Sequence, residues 1–498
     1  MHGRVVALLV GLAVLTSAGP VHAATFHAAL PGTAGPGCPA SSPCTIAAAI
    51  AAADAAPGAD VVQVTGPVTL SGTADLSGSP IDLRGSGRGA GGTLLDGGGD
   101  PALLIGPQSS ARDLRADATL AAPVRIAEGG TLAAADVRVL GGGAPAGVRV
   151  DGGAPTRESV IEDVTITQVT VTGDGNGIAV DGAADRTVVR DVTITGVGDG
   201  IVRSASGAAT IVVQRTRLNV TGDGLDLRGT ADLRMSSSVV RALPSVGDPT
   251  TAYFNALRLR DAVQADIRHV TLDGSANTGY RAGDPSHGLA DGLDLADGAT
   301  ADVRAAAIVG VRTALECVGT STGAITVRRS YYDGANPEAS PTCTVTDAGG
   351  SLVQPGPSLA PFAGAATGDL HLVPGAPLVD AAGTEPPGPD ESPTDPDGVA
   401  RPSDGDRDGG IERDIGAFEV PGPAVAPAPA PEIPPVIAPG PAAAGPVAPP
   451  RAPPGPPPGR ARRRLWSGCR GPCASPRAAP RVRASAAAHA RAARCGSG

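Results

Sequence analysis

Four charged residues occupy equivalent places in successive short repeats, and their types are suited to chemistry. The segments LDL, LRL, LDL and LEC each place one charged residue beside apolar neighbours: Asp226, Arg258, Asp294 and Glu316. We call these four residues the charged column. Carboxylates can hold a calcium ion or exchange protons, and an arginine can act as a base or clamp an anionic group. The interleaved charges are also typical of an exposed ladder of ion pairs, worth about 0–1 kcal/mol per pair, and we favour that interpretation because it requires no substrate.

A second set of acidic residues lies near the end of the acidic body. The segment SDGDRDGG spaces three carboxylates two residues apart: Asp404, Asp406 and Asp408. This alternation is typical of the first part of a calcium-binding loop with oxygen ligands. Ile415 stands where such a loop has its bidentate Glu, so Glu412 or Asp414 is the expected substitute. The alternative is a solvated acidic turn without a metal.

Aromatic side chains, on which sugars stack, form 2% of the sequence. The tyrosines gather in the later repeats and their loops, and we take them as candidate ligand-binding residues: Tyr253, Tyr280, Tyr331 and Tyr332. The segments GDG and SHG are similar to fragments of β-helical galacturonidases. The sequence has no adjacent pair of aspartates, however, so we expect His287 of SHG to be an ordinary loop residue.

The composition excludes several kinds of site. All 39 basic residues are arginine, which rules out Schiff-base lysines, lysine general bases and P-loops. The formal net charge is −10, with an acidic body and an arginine-rich end. That separation of charge is not typical of a nucleic-acid-binding fold, so no nucleic-acid partner is expected.

Short repeated strands are the elements that would position the charged column. NGIAV at residue 176 recurs with the same apolar spacing as DGIVR at 199, DGLDL at 223, NALRL at 255, DGLDL at 291 and TALEC at 313. Short β-branched strands at intervals of about 24 residues, without a helical pattern between them, predict a right-handed parallel β-helix. Stacked coils bury one continuous core, and the longer intervals predict loops at 241–254 and 274–290.

The glycine-rich segment GDGNG (173–177) is expected to serve this fold. A dinucleotide-binding loop would be followed by a helix, and a calcium-binding β-roll would repeat every nine residues or so. Neither pattern is present. Glycine at positive φ, beside Asp or Asn bonded to nearby backbone, therefore predicts a turn.

Alternation along the strands assigns their faces. The apolar neighbours of the charged column should point inward, and Arg203, which breaks that inward series, should lie beyond a bend. Cys317 would then point inward with Cys343 about one coil later, which predicts a disulfide between coils in an exported protein. Cys38 and Cys44 share a turn-rich segment and predict a second disulfide.

The domain boundaries follow composition. Residues 1–23 combine a basic start, an apolar run too short to span a bilayer and small residues before Ala24, which predicts a cleaved signal peptide. No later segment has the length of a transmembrane helix. The expected order is a signal peptide over 1–23, an N-terminal cap with a short helix over 24–60, coils over 61–350, a closing segment over 351–420, a Pro/Ala-rich linker over 421–459 and an arginine-rich disordered tail over 460–498.

Two segments carry a resemblance to a known family. GCPASSPCTIAAAIAAADAAPGADVVQV resembles the N-terminal part of secreted bacterial β-helix proteins with a Cys-Ser-Leu-Arg-Glu-Ala (CSLREA) motif, although Ala47 and Ala48 replace the Arg and Glu. The stretches at 369–383 and 395–420, which end in DIGAFEV, resemble the end of the choice-of-anchor Q domain. The resemblance covers about residues 25–420. It implies a pectin-lyase-like β-helix on the cell exterior, without implying a particular reaction.

These observations lead to two main hypotheses about function. The first is a secreted or wall-associated, monomeric and non-catalytic β-helix that binds extracellular glycans or partners, with a tail that either contacts anionic wall polymers or results from a shifted reading frame. The second is a calcium-dependent polysaccharide lyase, or a glycoside hydrolase, that acts on acidic polysaccharide through the charged column. A trimeric adhesin is a weaker third hypothesis, because the acidic, aromatic-poor coils offer no evident interface.

Overall fold

The computed structural model describes most of the body of the chain, at residues 23–30, 32, 37–141, 144–152, 157–169, 175–182, 186–205, 207–244, 254–276, 290–320, 322–333, 338–354 and 359–422. The predicted signal peptide before Ala23, the linker beyond its first two residues and the tail lie outside these ranges. So do Tyr253, Tyr280, His287 and most of the two predicted loops. Within the described ranges, no helix has the length and apolar character needed to cross a membrane.

Parallel strands dominate the described body. Among the described residues, sheet A contains twenty strands: β1 (Thr25–Ala28), β2 (Asp60–Val64), β3 (Val68–Ser71), β5 (Ile81–Arg84), β6 (Thr93–Asp96), β8 (Ser110–Ala118), β10 (Thr131–Val139), β12 (Glu158–Gln168), β14 (Arg186–Arg190), β15 (Thr193–Thr195), β17 (Ala209–Gln214), β18 (Arg217–Val220), β20 (Ala231–Ala242), β22 (Gln264–Asp273), β24 (Thr300–Arg304), β25 (Ala307–Val309), β27 (Gly323–Arg328), β28 (Tyr331–Asp333), β30 (Cys343–Asp347) and β31 (Leu352–Gln354).

Sheet B supplies the opposing wall. It contains eleven described strands: β4 (Ala74–Leu76), β7 (Leu103–Ile105), β9 (Val124–Ala127), β11 (Ala146–Asp151), β13 (Asn176–Asp181), β16 (Ile201–Arg203), β19 (Leu225–Leu227), β21 (Phe254–Leu259), β23 (Ala290–Ala296), β26 (Leu315–Val318) and β29 (Glu338–Ala339). Each pairs in parallel with a strand of the adjacent coil. The predicted parallel β-helix is confirmed.

Sheet A bends once in each coil. In nine successive coils, the residue at the bend has positive φ although it is not glycine: Asp113, Ala134, Asp163, Asp191, Arg215, Ser237, His269, Ala305 and Arg329. We call them the bend column. Strand β12 pairs with β14 before Asp163 and with β15 after it, so the bend divides sheet A into two faces. One left-handed residue in each of these nine coils turns the chain without breaking the stack.

The interior follows the predicted alternation. The residues that precede the charged column in each strand, with their counterparts in β13 and β16, are almost fully buried: Ile178, Ile201, Leu225, Leu257, Leu293 and Leu315. Their stacking forms the continuous apolar core that no single coil can provide. Hydrophobic burial over many coils is therefore the main source of stability.

Arg203 departs from the prediction. It does not lie beyond a bend: it is in register with Val180 and Leu227 and is fully buried. Its guanidinium donates hydrogen bonds to the carbonyl oxygens of Ala205, Gly207 and Arg228, at the border of the core. Desolvation lowers the pKa of Arg203. These hydrogen bonds to backbone carbonyl oxygens offset the cost of burying the guanidinium. The alternation of residues along the strand could not predict them.

Helix α1 (Ile46–Ala55) lies in the N-terminal cap, where the sequence predicts a helix. Thr45 caps it by accepting the N–H of Ala48 at 3.3 Å. Ile46 and Ile50 are buried with the alanines on the same face and join the core of the coils. The helix thus places apolar side chains over the first coils.

The closing segment, predicted over 351–420, runs alongside the coils. Arg215 Nη1 donates to Ser392 Oγ at 2.8 Å, and the N–H of Gly416 donates to the Ala305 carbonyl at 2.8 Å. Both Arg215 and Ala305 belong to the bend column. A second apolar cluster forms beneath the segment, which includes 3₁₀ turn Ala365–Thr367 and the antiparallel strands β32 (Phe362–Gly364) and β33 (Asp369–Leu372).

Both predicted disulfides, Cys38–Cys44 and Cys317–Cys343, form in the structure. Replacing Cys317 and Cys343 together with serine is expected to lower the free energy of unfolding by about 3 kcal/mol, because the bridge closes a loop of 26 residues. Guanidinium unfolding with and without a reducing agent measures the change. The reducing agent should destabilise the wild type by more than the double variant; equal sensitivity would contradict the prediction.

Candidate functional site

The charged column forms on four neighbouring strands of sheet B. Asp226 pairs in register with Arg258, Arg258 with Asp294, and Asp294 with Glu316. Neighbouring strands lie about 4.8 Å apart, so the four residues form one line across successive coils. Because the flanking leucines point into the core, the charged side chains face outward.

A second line of polar residues lies three positions before the charged column and before Val202, its counterpart in β16, and it was not predicted from the sequence. We call it the turn column; its members are Asp199, Asp223, Asn255 and Asp291. Asp223 Oδ1 accepts the N–H of Asn255 at 2.8 Å, and Asp199 Oδ1 accepts the N–H of Asp223 at 2.7 Å. These side chains bind one coil to the next. The signal in the sequence was the repeated Asp or Asn at the start of each unit.

The glycine after each acidic residue permits close stacking of the coils. A Cβ at Gly224 would lie 2.2 Å from Val240 Cγ1 and 2.3 Å from the Ala256 carbonyl oxygen. Glycine is therefore required there for space. Asn176–Asp181 forms a strand, and a further strand follows it, in agreement with a structural role for GDGNG, whose first two residues lie outside the described ranges.

Arg258, a member of the charged column, contacts a carboxylate of each column. Its Nη1 is 3.5 Å from Asp223 Oδ2, and its Nε is 3.4 Å from Asp294 Oδ2. The Arg258 side chain is 38% exposed, whereas those of Asp223 and Asp294 are 11% and 12% exposed. Asp294 Oδ1 is buried and has no hydrogen-bond partner among the described residues. Arg258 is thus held by two carboxylates and still presents part of its side chain to solvent.

Asp226 is already bound by two arginines. Arg260 Nη2 lies 2.9 Å from both of its carboxylate oxygens, and Arg228 Nη2 lies 3.0 Å from Oδ2. These bonds occupy most of the acceptor positions of the carboxylate. Asp226 therefore positions arginines, and we infer that it is less available to a ligand than Arg258.

Glu316 lies in the most acidic part of the site. Arg312 binds Asp291 with two hydrogen bonds, of 3.0 and 2.6 Å, and its Nη2 is 3.7 Å from Glu316 Oε2. Burial, followed by the negative charges of Asp291 and Asp294, raises the pKa of Glu316 to about 7. Burial raises the pKa of Asp294 to about 6 although Arg258 opposes it. Two adjacent carboxyl groups can thus exchange protons near neutral pH.

Replacing Glu316 with glutamine is expected to flatten the dependence of stability on pH. Below pH 4.5, the Glu316 carboxyl is protonated in folded and unfolded chains alike; between pH 4.5 and about 7, the unfolded group loses its proton while the folded group keeps it. The stabilisation is therefore full below pH 4.5 and is lost as the pH rises towards 7. The melting temperature of Glu316→Gln relative to wild type should rise over this interval in scanning calorimetry.

The matched control is Glu158→Gln, which removes a more exposed carboxylate in sheet A. Its melting temperature should follow that of the wild type across the same interval. A constant difference between Glu316→Gln and wild type at every pH would contradict the prediction.

The acidic turn at 404–410 does not bring the three predicted metal ligands together. Ligand atoms of Asp380, Asp404 and Asp406 lie within 4.8 Å of one another, whereas Asp408 is not in this group. Asp408 instead accepts the N–H of Gly410 at 2.7 Å. Asp380 joins because its carboxylate accepts the N–H of Asp406 at 2.8 Å, a contact across 26 residues.

The expected substitutes for the bidentate Glu do not join the group either. Asp414 is buried, and its two oxygens accept the N–H groups of Asp380 and Val420. Glu412 pairs through its backbone with Ser403. Among the described residues, this acidic turn is where three potential ligands converge; the charged column does not bring three together.

The described tyrosines do not form an exposed platform. Tyr331 is 2% exposed and packs beneath the closing segment, and Tyr332 is 7% exposed and packs in the core of the coils. Their neighbouring positions on one strand direct them to opposite sides of sheet A. Both rings are therefore occupied by packing. Tyr253 and Tyr280 lie outside the described residues.

Comparison with solved structures finds a crystal structure of the pectate lyase Pel9A. It aligns with a TM-score of 0.48 and 13% sequence identity, over 80% of this chain and 97% of that chain. No protein-family model matches the sequence, and no curated protein matches it. The resemblance to CSLREA-motif and choice-of-anchor Q proteins therefore stays a prediction.

Proposed function

We propose that the chain is a secreted or cell-surface protein that binds extracellular glycan, and that the charged column and the turn column form its binding face. The observation that carries this proposal is the unbroken line of charged residues, in register on four strands, along the outside of sheet B. Partly buried carboxylates with raised pKa values beside a specific arginine are more typical of functional sites than of ordinary surfaces.

Hydrogen bonding and charge would provide the recognition. Carboxylates accept hydrogen bonds from sugar hydroxyls, and a guanidinium donates to sugar oxygens or clamps a carboxylate. Neither column contains an aromatic residue, so stacking contributes little there. The side chains of Arg258 and of Arg228, which binds Asp226 beside the charged column, are 38% and 46% exposed, and we assign them the first contacts with the ligand.

The geometry of the column favours a polymer over a single sugar. A glycan lying along the stacking direction would meet a new polar group at each coil, about every 4.8 Å, which is comparable with the length of a sugar unit. Each added sugar would then find its own contacts. We therefore expect affinity to increase with oligosaccharide length up to about four units, one for each residue of the charged column.

Polysaccharide cleavage is the second candidate function, and one observation favours it. Asp294 and Glu316 lie on adjacent coils, and their pKa values are raised to about 6 and about 7. Such a pair could supply a general acid and a general base at neutral pH. Arg258, held between two carboxylates, is better suited to donate hydrogen bonds than to accept a proton, which favours hydrolysis over a lyase reaction.

A glycan array probed with residues 24–498 tests the proposal. Binding to acidic or neutral polysaccharides that is lost in Arg258→Ala would support it; an array without any hit, at protein concentrations up to the millimolar range, would oppose it. Each bound polysaccharide is then incubated with the protein and assayed for new reducing ends and for unsaturated products. Reducing ends without unsaturation would identify a hydrolase.

We also propose that calcium binds at Asp380, Asp404 and Asp406. Asp404 Oδ1 is buried and has no hydrogen-bond partner among the described residues, so a cation would satisfy it. Calcium at a hundred times its dissociation constant should stabilise the protein by about 2.7 kcal/mol. The melting temperature should rise with calcium for wild type and for Asp408→Asn, but not for Asp406→Asn. An equal rise in all three would contradict this site.

A further inference from the structure

Asp60 is a buried carboxylate that uses half of its bonding capacity. It is the first residue of β2 and is 2% exposed. Its Oδ1 accepts a hydrogen bond from the backbone N–H of Ala24 at 2.7 Å. Its Oδ2 is buried and has no hydrogen-bond partner among the described residues. A buried charge with one neutral donor is costly, so a positive partner is expected.

The donor to Asp60 lies at the predicted cleavage site. The apolar run over 5–15 and the small residues before Ala24 predict that a signal peptidase cuts between Ala23 and Ala24. Ala23 is exposed, whereas the carbonyl oxygen of Ala24 accepts the N–H of Val61 at 2.9 Å. The boundary between leader and fold thus falls at the nitrogen atom that contacts Asp60.

We propose that removal of the signal peptide creates an α-ammonium group at Ala24, and that Asp60 binds this group as a buried ion pair. In the hydrolysis, water breaks the Ala23–Ala24 peptide bond. Its hydroxyl joins the carbonyl carbon of Ala23, one hydrogen goes to the nitrogen of Ala24, and that nitrogen takes a further proton from solution. Three N–H donors and a positive charge then replace one neutral N–H, and they can serve both oxygens of Asp60.

The ion pair would stabilise the pairing of the first strand, β1, with β2. Strand β1 pairs with β2 from Thr25 onward, and the carbonyl oxygen of His27 accepts the N–H of Cys44 at 2.9 Å. The same strand therefore connects the first coil to the disulfide-bonded part of the N-terminal cap. Processing would complete this connection only after export, since the uncleaved chain has no charge at that position. The inference is independent of the proposed glycan binding.

The absence of lysine provides a direct test. In a chain of residues 24–498, the α-amino group is the single primary amine, so an amine-specific acylating reagent reports on it alone. The unprotonated amine is the reactive form, and an ordinary α-amino group has a pKa of about 7.7–8.0. An ion pair with Asp60 retains the proton, so acylation at pH 7 should be at least tenfold slower in wild type than in Asp60→Asn.

A chain with one glycine added before Ala24 gives the matched comparison, and it keeps Asp60 intact. Its amine is displaced by one residue, so it should react at the rate of a solvent-exposed peptide amine, and its melting temperature should fall below that of the chain starting at Ala24. Equal acylation rates and equal melting temperatures for the Ala24 chain and the glycine-extended chain would overturn the proposal, even if Asp60→Asn failed to fold. Mass spectrometry of the exported protein must also find Ala24 as the first residue; another N-terminus would overturn it.

Discussion

Replacing Arg258 with alanine is expected to weaken glycan binding by at least tenfold, the largest effect of any single change in the charged column. Arg258 has an exposed side chain and is held between Asp223 and Asp294, so it is pre-oriented to donate to a ligand. Arginines held in place by neighbouring carboxylates are often dominant contacts in binding sites. Titration of the best ligand from the glycan array by calorimetry measures the change.

The sheet provides a matched control for that variant. Arg125 lies in the same outward position of sheet B, on β9, has a similarly exposed side chain and pairs with Asp151. It is several coils away from the acidic residues around Arg258. Arg125→Ala should therefore bind as the wild type does. Equal weakening by both substitutions would show that general charge, and not the site, governs binding.

Arg258→Ala should also change the protonation of its neighbour. The charge of Arg258 is the main effect that opposes the raised pKa of Asp294. Without it, the pKa of Asp294 should move above 6, and binding or turnover that depends on ionised Asp294 should shift to higher pH. The pH profile thus separates a role in the site from a general loss of folding.

Replacing Arg401 with alanine is expected to cost about 3–5 kcal/mol of folding free energy, the largest stability effect in the described chain. Arg401 Nε lies 3.1 Å from Glu419 Oε1, and both side chains are essentially inaccessible to solvent. Its Nη2 also donates to the Ala417 carbonyl at 2.8 Å. Burial raises the pKa of Glu419, and the charge of Arg401 opposes that rise. Removal of Arg401 leaves that carboxyl without its cationic partner.

Chemical unfolding measures this loss, and two further variants locate its cause. Arg407→Ala removes an exposed arginine from the same segment and should change stability by less than about 0.5 kcal/mol. Arg401→Met combined with Glu419→Leu removes both charges and should recover much of the loss, because the cost comes from an unpaired buried charge. A loss below about 1 kcal/mol in Arg401→Ala would contradict the prediction.

The position of the charged column could be predicted from the sequence. The in-register stacking of Asp226, Arg258, Asp294 and Glu316 follows from repeated apolar neighbours, because each strand must direct those neighbours into the same core. The turn column was visible as repeated Asp and Asn, but its role was not. Its side chains bond to backbone of the next coil, and sequence spacing does not reveal such partners.

The acidic turn illustrates the opposite case. The even spacing of Asp404, Asp406 and Asp408 suggests a local loop that coordinates with its own side chains. In the structure, Asp408 bonds to the backbone two residues on, and Asp380 takes a place in the group from outside the segment. The spacing of the aspartates therefore identified two members of the acidic group, Asp404 and Asp406, but not its third member, Asp380.

The amino-acid sequence by itself determined the parallel β-helix, the inward series of aliphatic residues, the outward charged column and the two disulfides, because these depend on alternation and on a repeat that each coil carries. Tertiary structure alone decided that the closing segment contacts the later part of the bend column, that Arg203 is buried and that Tyr331 and Tyr332 pack away from solvent. It also decided which carboxylates have raised pKa values. Those outcomes depend on contacts between residues far apart in the chain, and burial and charge at such contacts are properties of the packed coils together.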